Sequence, residues 1–563
     1  MFTVPGYVIL WKKYNDGERL ALAPAVSLIV YGIAAVFAHL AGLPVSFALI
    51  VLPLTLIVII HRSVTAEISL NQAAVVLIAL TMGFATQTLS AYPSSGDGIF
   101  QMLAAESFQT DHWMSINLGD NYFNGATLPD PIAYRPPLNS LGMALAFTIA
   151  GYSFETAKLY SAYFIAALAA ITFLLAEKLF DRKTALYGTL IMVSLNPYMM
   201  SMGFDVLVYH VAAYLIFCFL YLWLRKTHWL TTAALAGALY LIHPMGIVFL
   251  LIFFAYEAYA RRHTLIGYAN LRTLGFIAVA LLVASPWLVR NYDLFGSPLY
   301  STGQYAMFYR DWEDHYRFTA PTMAGYLGFI LNPKNLVLIK GGALLKTMIP
   351  PPYSFAYSRW QPQTLIDPVA MQYSIAGILS YPLFLAALYF AIKNWGRLVP
   401  FLFWMSLLAS MVLFGMRHDY EHSLMFAEVL LLGIYGVSKV KEDKRVLALI
   451  ALFLVFESAI FYPNKAAMQP DQEALDWITA YVPENATIMS RQADLICYMT
   501  GRAAYVTPNE PQDTIVRFAR ENGIGYFAVS KDDLRLRSMD LATLNETFNY
   551  KKQAGDYVIY QVT

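Results

Sequence analysis

Long apolar segments separated by short polar stretches are the feature that most limits how this chain can fold. The segments are roughly 15 to 24 residues long, which is the length of an α-helix that crosses a bilayer. Of the 563 residues, 58% are hydrophobic and 13% are charged, whereas a soluble domain carries roughly 25% charged residues. We therefore expect an all-α polytopic domain in the plasma membrane.

Thirteen apolar segments are predicted to cross the membrane. They lie at residues 20–40, 44–61, 69–91, 154–177, 184–200, 206–224, 229–242, 245–260, 272–289, 373–392, 398–415, 422–438 and 445–462. With this count the basic clusters of the short loops, such as Lys178, Arg182 and Lys183, all fall on one side, which identifies the cytoplasm. The N-terminus is then inside and the C-terminus outside. Residues 138–151 are apolar but short, and they are predicted to form a half-spanning helix.

The topology divides the chain into additional N-terminal helices, a membrane module and an extracytoplasmic C-terminal domain. These divisions are residues 1–68, 69–463 and 464–563. The module has two large outer connections, which we call the first long loop (92–153) and the second long loop (290–372). The C-terminal domain is predicted to be a small α/β domain. Its expected helices and strands lie at 473–482, 513–522, 525–530 and 556–562.

Two acids on the predicted outer face are candidates for chemistry. Asp97 lies between two glycines shortly after the third predicted span, so a ligand can approach its carboxylate closely. Such a carboxylate suits a general base acting on a hydroxyl, although a loop aspartate can also simply stabilise a turn. Asp205 lies at the outer end of the sixth predicted span. Two acids on one face can flank a reaction centre or hold a cation, while simple hydration also explains Asp205.

Basic residues at the outer ends of predicted spans run against the usual charge bias of membrane proteins. They are Arg135, His243, Arg290, Arg417, His418 and His422. Any single one can extend to the lipid headgroups, but several together indicate an anionic partner. A lipid phosphate is the favoured partner, since its oxygens match the two-pronged guanidinium group.

Polar and aromatic residues of the first long loop are candidates for binding a sugar or an acceptor. They are Glu106, Trp113 and Tyr134. Aromatic rings can stack on sugars, but Trp and Tyr are also typical of the membrane interface, and the acid can be a solvated loop charge.

Several functions are disfavoured by the composition. The net charge of +1 gives no overall attraction for nucleic acid. The chain has only two cysteines, Cys218 in an apolar segment and Cys497 in the C-terminal domain, and this placement disfavours a disulfide or a cysteine metal site. Asp111 and His112 are adjacent in sequence, and adjacent side chains seldom point at one metal ion, so a metal site at this pair is disfavoured. We expect no required cofactor, and a divalent metal is the alternative.

The order of these features resembles the GT-C superfamily of integral-membrane glycosyltransferases, of the protein O-mannosyltransferase and aminoarabinose transferase type. The resemblance begins with Asp97 in the first long loop and continues with the Pro-Pro segment YRPPLNSLGMALAF. Later come AEKLFDRKTALYGTLIMVSLNPYMM with Asp205 behind it, and ALAGALYLIHPMGI, in which the family usually has Arg in place of His243. SPWLVRNYDLFGSPLY resembles the family's opening of the second long loop. The C-terminal domain is similar to the small external domain of many prokaryotic members.

The resemblance implies transfer of a sugar from a polyprenyl- or dolichyl-phosphate donor, with inversion, to a hydroxyl of an extracytoplasmic glycan, protein or lipid acceptor. Asp97 would be the general base, the basic residues would bind the donor phosphate, and Asp205 would orient donor or acceptor. Two other classes stay open: an oligosaccharyltransferase-like enzyme with a lipid-pyrophosphate donor, and a membrane transporter, for which the sequence shows no internal repeat.

Overall fold

The computed structural model describes most of the chain, with several gaps. The described residues are 2–10, 14–51, 69–87, 96–110, 114–132, 135–196, 208–226, 229–260, 271–310, 312–341, 387–413, 426–450, 452, 454, 471–530, 533–534, 537 and 539–562.

Helices make up most of the described chain. They are α1 (Val4–Ile9), α2 (Asp16–Leu40), α3 (Leu70–Gln87), α4 (Gly96–Ser107), α5 (Leu138–Ala150), α6 (Phe154–Leu179), α7 (Arg182–Thr189), α8 (Tyr209–Arg225), α9 (Trp229–Ile242), α10 (Met245–Ala260), α11 (Leu271–Phe295), α12 (Met323–Ile330), α13 (Ala387–Lys393), α14 (Leu398–Leu413), α15 (Phe426–Val440), α16 (Gln472–Tyr481), α17 (Ala493–Thr500), α18 (Gln512–Glu521) and α19 (Leu541–Thr547). The strands are β1 (Ser115–Ile116), β2 (Leu118–Gly119), β3 (Asp130–Pro131), β4 (Ile488–Ser490), β5 (Ala504–Val506), β6 (Tyr526–Ser530), β7 (Asn549–Ala554) and β8 (Tyr557–Gln561).

Three helices of the described residues are long and apolar enough to cross a membrane: α2, α6 and the part of α11 from Arg272 to Phe295. The pair α13 and α14 passes the same test together and is bent by 99° at the break between them. Helix α5 has 13 residues, which is about 20 Å, and it matches the short helix predicted at 138–151. The mostly helical architecture with a small sheet near the C-terminus is confirmed, whereas the thirteen spans and their orientation stay predictions.

Helix α6 lies at the centre of the membrane module. It begins at Phe154 because the side chain of Ser153 accepts a hydrogen bond from the backbone N–H of Thr156 at 3.1 Å. In its most apolar stretch, 89% of the residues are buried against other helices. A helix that is apolar on all sides packs in this way when its neighbours surround it, so α6 lies in the core of the helical region.

The C-terminal domain contains a six-stranded sheet in the order β2-β5-β4-β6-β8-β7. The pairs β2–β5, β5–β4 and β4–β6 are parallel, and the pairs β6–β8 and β8–β7 are antiparallel. The helices and strands predicted for this domain match α16, α18, β6 and β8. Strand β2, however, comes from the first long loop, so residues 464–563 do not form this sheet alone.

The second long loop is joined to the C-terminal domain through Glu313. Its carboxylate accepts a hydrogen bond from Arg491 at 2.6 Å and lies 2.8 Å from a guanidinium nitrogen of Arg537. The side chain of Arg537 is 0% exposed, so its charge depends on partners inside the protein. A backbone hydrogen bond from Asn509 to Tyr316, of 2.9 Å, supports the same contact.

Replacing Glu313 with glutamine is expected to destabilise the C-terminal domain by about 3 kcal/mol, because a buried charge that loses a close partner is costly. Glu313 is the nearer of two carboxylates that pair with buried Arg537, the other being Asp533 at 3.9 Å. Limited proteolysis of the full-length protein at rising temperature measures the change. The matched control is Glu521→Gln, whose 4.0 Å pair with Arg517 is exposed and contributes little. Equal melting of the two variants would contradict the role given to Glu313.

Candidate active site

Asp97 lies in the first turn of α4. A carboxylate is favoured there, because the unpaired N–H groups and the helix dipole make that end of a helix positive. One turn further on, the Gln101 side chain accepts hydrogen bonds from Asn139 at 3.1 Å and from Ser140 at 2.8 Å. These contacts fix α4 against α5, and they set Asp97 opposite Arg135, which precedes α5.

Asp97 and Arg135 form an ion pair. The other carboxylate oxygen of Asp97 accepts a hydrogen bond of 3.2 Å from the hydroxyl of Tyr209, at the start of α8. The guanidinium of Arg135 also lies over the ring of Phe100, 5.0 Å from its centre. The Asp97 side chain remains 34% exposed while that of Arg135 is 12% exposed. The carboxylate is therefore held in place and still accessible to a ligand.

Two histidines lie within electrostatic range of this pair. His243 follows α9, and His315 belongs to the second long loop, where its Nδ1 lies 2.9 Å from the Tyr309 hydroxyl. Burial, assisted by the charge of Arg135 and opposed by that of Asp97, lowers the pKa of each imidazole to about 4. Both are neutral at pH 7. Binding of the donor phosphate by His243 remains a prediction, and with this pKa the side chain would meet the phosphate as a neutral imidazole.

Two more carboxyl groups lie within electrostatic range of the pair: Asp120 of Arg135, and Asp494 of Asp97. A third, Asp130, is a neighbour of Asp120. Burial raises the pKa of Asp120 to about 8, with the charges of Asp130 and Asp494 acting in the same direction and that of Arg135 against it. Burial likewise raises the pKa of Asp130 to about 6, although its carboxylate accepts backbone hydrogen bonds from Asn121 at 3.1 Å and from Asp120 at 3.3 Å. Burial also raises the pKa of Asp494. Asp120 is therefore largely protonated at neutral pH.

The stability of the protein is expected to fall as the pH rises from 6 to 8, in part because Asp120 loses its proton. The folded state holds that proton with a pKa of about 8, against 3.8 for a free aspartate, so it binds the proton more tightly than the unfolded chain does. Asp130 contributes in the same direction, but only up to about pH 6. Melting temperatures at pH 6 and pH 8 should differ less in Asp120→Asn than in the wild type. The same dependence in both would contradict the assignment, and exposed Asp476→Asn is the control.

Arg290, near the C-terminal end of α11, contacts the first long loop. Its guanidinium donates to the carbonyl of Ile132 at 2.7 Å and to that of Met114 at 2.9 Å, and it lies over the ring of Trp287. These contacts hold the first long loop next to the ion pair of Asp97 and Arg135. Binding of the donor phosphate by Arg290 remains a prediction.

Glu106 lies at the other end of α4 from Asp97. Their separation of nine positions corresponds to about 13 Å along the helix. Burial raises the pKa of Glu106, and Tyr152 is its neighbour there. Its proposed contact with a sugar or an acceptor is therefore separate from the Asp97 pair.

Six predicted site residues lie outside the described residues. They are Asp205, Arg417, His418, His422, Trp113 and Tyr134. Within the described ranges, no group of three or more His, Cys, Asp or Glu side chains is arranged to hold a metal ion.

Sequence reasoning does not identify Tyr209, His315 or Asp494 as neighbours of Asp97. Tyr209 follows the predicted outer turn that holds Asp205, and that position is the only signal the sequence offers for it. His315 and Asp494 belong to segments that no motif connects with the first long loop. Their proximity is a result of the tertiary fold.

Comparison with known proteins finds solved structures of similar fold but no protein of similar sequence. No protein-family model matches the chain, and no curated protein matches its sequence. The apo form of the oligosaccharyltransferase from Archaeoglobus fulgidus superimposes with a TM-score of 0.51 at 13% identity, over 87% of this chain and 74% of that one. ArnT from Cupriavidus metallidurans bound to undecaprenyl phosphate gives 0.45 at 13% identity, over 87% and 97% of the two chains. The likeness to the oligosaccharyltransferase, at 13% identity, shows that the two chains share a fold.

Proposed function

We propose that the protein is a membrane glycosyltransferase. It transfers a sugar from a polyprenyl- or dolichyl-phosphate donor to a hydroxyl of an extracytoplasmic acceptor, with inversion at the anomeric carbon. The observation that carries this proposal is the Asp97 carboxylate, held by Arg135 and Tyr209 and still 34% exposed. The GT-C fold and the order of the sequence motifs support the same reaction.

Asp97 has the hydrogen-bonding capacity that a general base needs. A carboxylate offers about four acceptor sites, and the contacts with Arg135 and Tyr209 account for one on each oxygen. An acceptor hydroxyl can bind at a remaining site. As its oxygen attacks the anomeric carbon, its proton passes to Asp97, and the bond from that carbon to the lipid phosphate breaks with its electrons going to the phosphate.

Arg135 and His243 are placed to assist in different ways. Arg135 carries a permanent charge close to the base, and it can offset the charge that develops on the departing phosphate. In His243 the Nδ1 atom accepts a hydrogen bond of 3.3 Å from the backbone N–H of Met245. The proton of the neutral ring therefore lies on Nε2, which makes this atom a donor suited to a sugar hydroxyl.

The transfer of radiolabelled sugar in membranes tests the proposed function. The donors are a panel of polyprenyl-phosphate sugars together with the corresponding lipid-pyrophosphate sugars. Label entering an acceptor from a phosphate donor, with the opposite anomeric configuration in the product, would support the proposal. Transfer from pyrophosphate donors alone would favour an oligosaccharyltransferase-like reaction. Vectorial movement of an intact donor, without transfer, would favour a transporter.

The Tyr209→Phe variant is expected to lower turnover about tenfold, because a hydrogen bond to a charged group contributes roughly 1.5 kcal/mol or more. Without the hydroxyl, one oxygen of Asp97 loses its fixed partner and the carboxylate can rotate. Steady-state kinetics should show a fall in kcat with little change in the KM of the donor. Tyr292→Phe, at a side chain exposed on α11, is the control. An equal effect in both variants would contradict the role of Tyr209.

A further inference from the structure

The first long loop contributes a strand to the sheet of the C-terminal domain. Strand β2 runs parallel to β5, with Leu118 opposite Ala504 and Gly119 opposite Tyr505. The backbone N–H of Ala504 donates to the carbonyl of Asn117 at 2.9 Å. The sheet of this domain is thus built from two parts of the chain that are far apart in sequence.

The contact between these strands is specific in shape. A Cβ atom at Gly119 would overlap the ring of Tyr505, which lies directly over the backbone of β2. Three residues later, the hydroxyl of Tyr122 donates to the carbonyl of Val506, and the Tyr122 ring packs edge-on against Phe518 of α18. The Tyr505 ring can pack over β2 only because residue 119 is a glycine, so the contact between β2 and β5 depends on this particular pair of residues.

A second contact reaches the helix that carries Asp97. Helix α17 of the C-terminal domain lies against the start of α4, where a Cβ atom at Gly96 would lie 2.5 Å from the Asp494 carboxylate. Gly96 is the residue before Asp97. The C-terminal domain therefore contacts the first long loop on both sides of the candidate base, at α4 and at β2.

We propose that the C-terminal domain is a positioning element of the active site, which fixes Asp97 through strand β2 and helix α17. The inference rests on the proposed function, in which Asp97 is the base. Since the reacting groups must be held in a near-attack geometry, a displacement of about 1 Å can cost on the order of a hundredfold in rate. The domain acts on Asp97 through the loop, without contacting the substrate itself.

Substituting alanine for Gly119 in the full-length protein tests the proposal. Pushing β2 away from Tyr505 should speed the hydrogen exchange of peptides that contain the Ala504 amide. It should also lower kcat at least tenfold, with less than a twofold change in the KM of the donor. The matched control is Gly328→Ala, where a Cβ atom meets nothing within 4 Å, and it should change neither quantity. Fast exchange with normal kcat, or slow turnover with unchanged exchange, would overturn the proposal.

A reversible disulfide gives a second test that does not depend on destabilising the domain. Leu118→Cys and Ala504→Cys place two thiols at paired positions of adjacent strands, which suits a disulfide. Cys497 is changed to alanine as well, because its sulfur lies 3.5 Å from the carbonyl of Asn117 and could form the wrong bond. If the strands stay paired during turnover, the oxidised and reduced forms should turn over equally. Activity lost on oxidation and regained on reduction would show that β2 must leave the sheet, which contradicts the proposal.

These tests separate the inference from the proposed function. The exchange measurement needs no substrate, so it reports on the strand contact whichever reaction the protein catalyses. If Asp97→Asn retains full transfer activity, the base assignment fails and with it the positioning role. If Asp97→Asn is inactive while Gly119→Ala is fully active with fast exchange, only the positioning role fails.

Discussion

The Asp97→Asn variant is expected to transfer sugar at least a thousandfold more slowly than the wild type, in line with the roughly hundred- to ten-thousandfold contribution of general bases. Asparagine has nearly the same size and can still accept the hydrogen bond from Tyr209. It cannot take up the proton of the acceptor hydroxyl. Donor binding should change little, because the base acts on the acceptor. Radiolabel transfer at saturating donor, with donor affinity measured in parallel, gives both quantities.

Two further variants separate the loss of the base from a loss of fold. Asp513→Asn changes an exposed aspartate in the first turn of α18, and it should behave as wild type in both assays. Asp97→Glu keeps the charge but moves it, so it should retain part of the ion pair with Arg135 and only a small fraction of the turnover. Near-normal transfer by Asp97→Asn would remove Asp97 from the mechanism, whatever the other variants do.

The elements that depend on local pattern are predictable from the sequence. Long apolar segments predict helices in the membrane module, and the short apolar segment after Arg135 forms the 13-residue helix α5. In the C-terminal domain, helical periodicity locates α16 and α18, and β-branched and aromatic residues locate β6 and β8. These segments carry enough residues of one type for the pattern to be unambiguous.

Strand β2 shows why the rest is not predictable. Its two residues are too few to display a period of two, and they form a strand only because β5 supplies a partner. The candidate site has the same dependence on distant contacts. Tyr209 lies 112 residues from Asp97, and Asp494 belongs to another domain. No spacing rule connects such positions when a single sequence is read.

His243 illustrates a different limit. The sequence shows a histidine at the outer end of a predicted span among other basic residues, which indicates a cationic site. Burial and the neighbouring Arg135 lower its pKa to about 4, so the ring is neutral at pH 7. The charge of a histidine depends on its surroundings, and the sequence does not give them.

Arg135→Ala is expected to lower turnover at least a hundredfold and to weaken the binding of an anionic donor. The substitution removes the cation that pairs with Asp97 and lies over Phe100. It leaves the Asp97 carboxylate without its ionic partner, and electrostatic groups of this kind contribute roughly 3 to 4 kcal/mol each when they face developing charge. Both kcat and the KM of the donor should therefore change, whereas Tyr209→Phe should affect kcat alone.

Chemical rescue distinguishes the loss of the charge from a loss of fold in Arg135→Ala. The truncated side chain leaves a space beside Asp97, and guanidinium ions added at millimolar concentration should occupy it and restore part of the turnover. Arg135→Lys keeps a positive charge without the two-pronged group, so its activity should lie between those of the wild type and alanine variants, and guanidinium should have no effect on it. Full activity of Arg135→Ala without rescue would show that the ion pair with Asp97 serves only to hold α4 against α5.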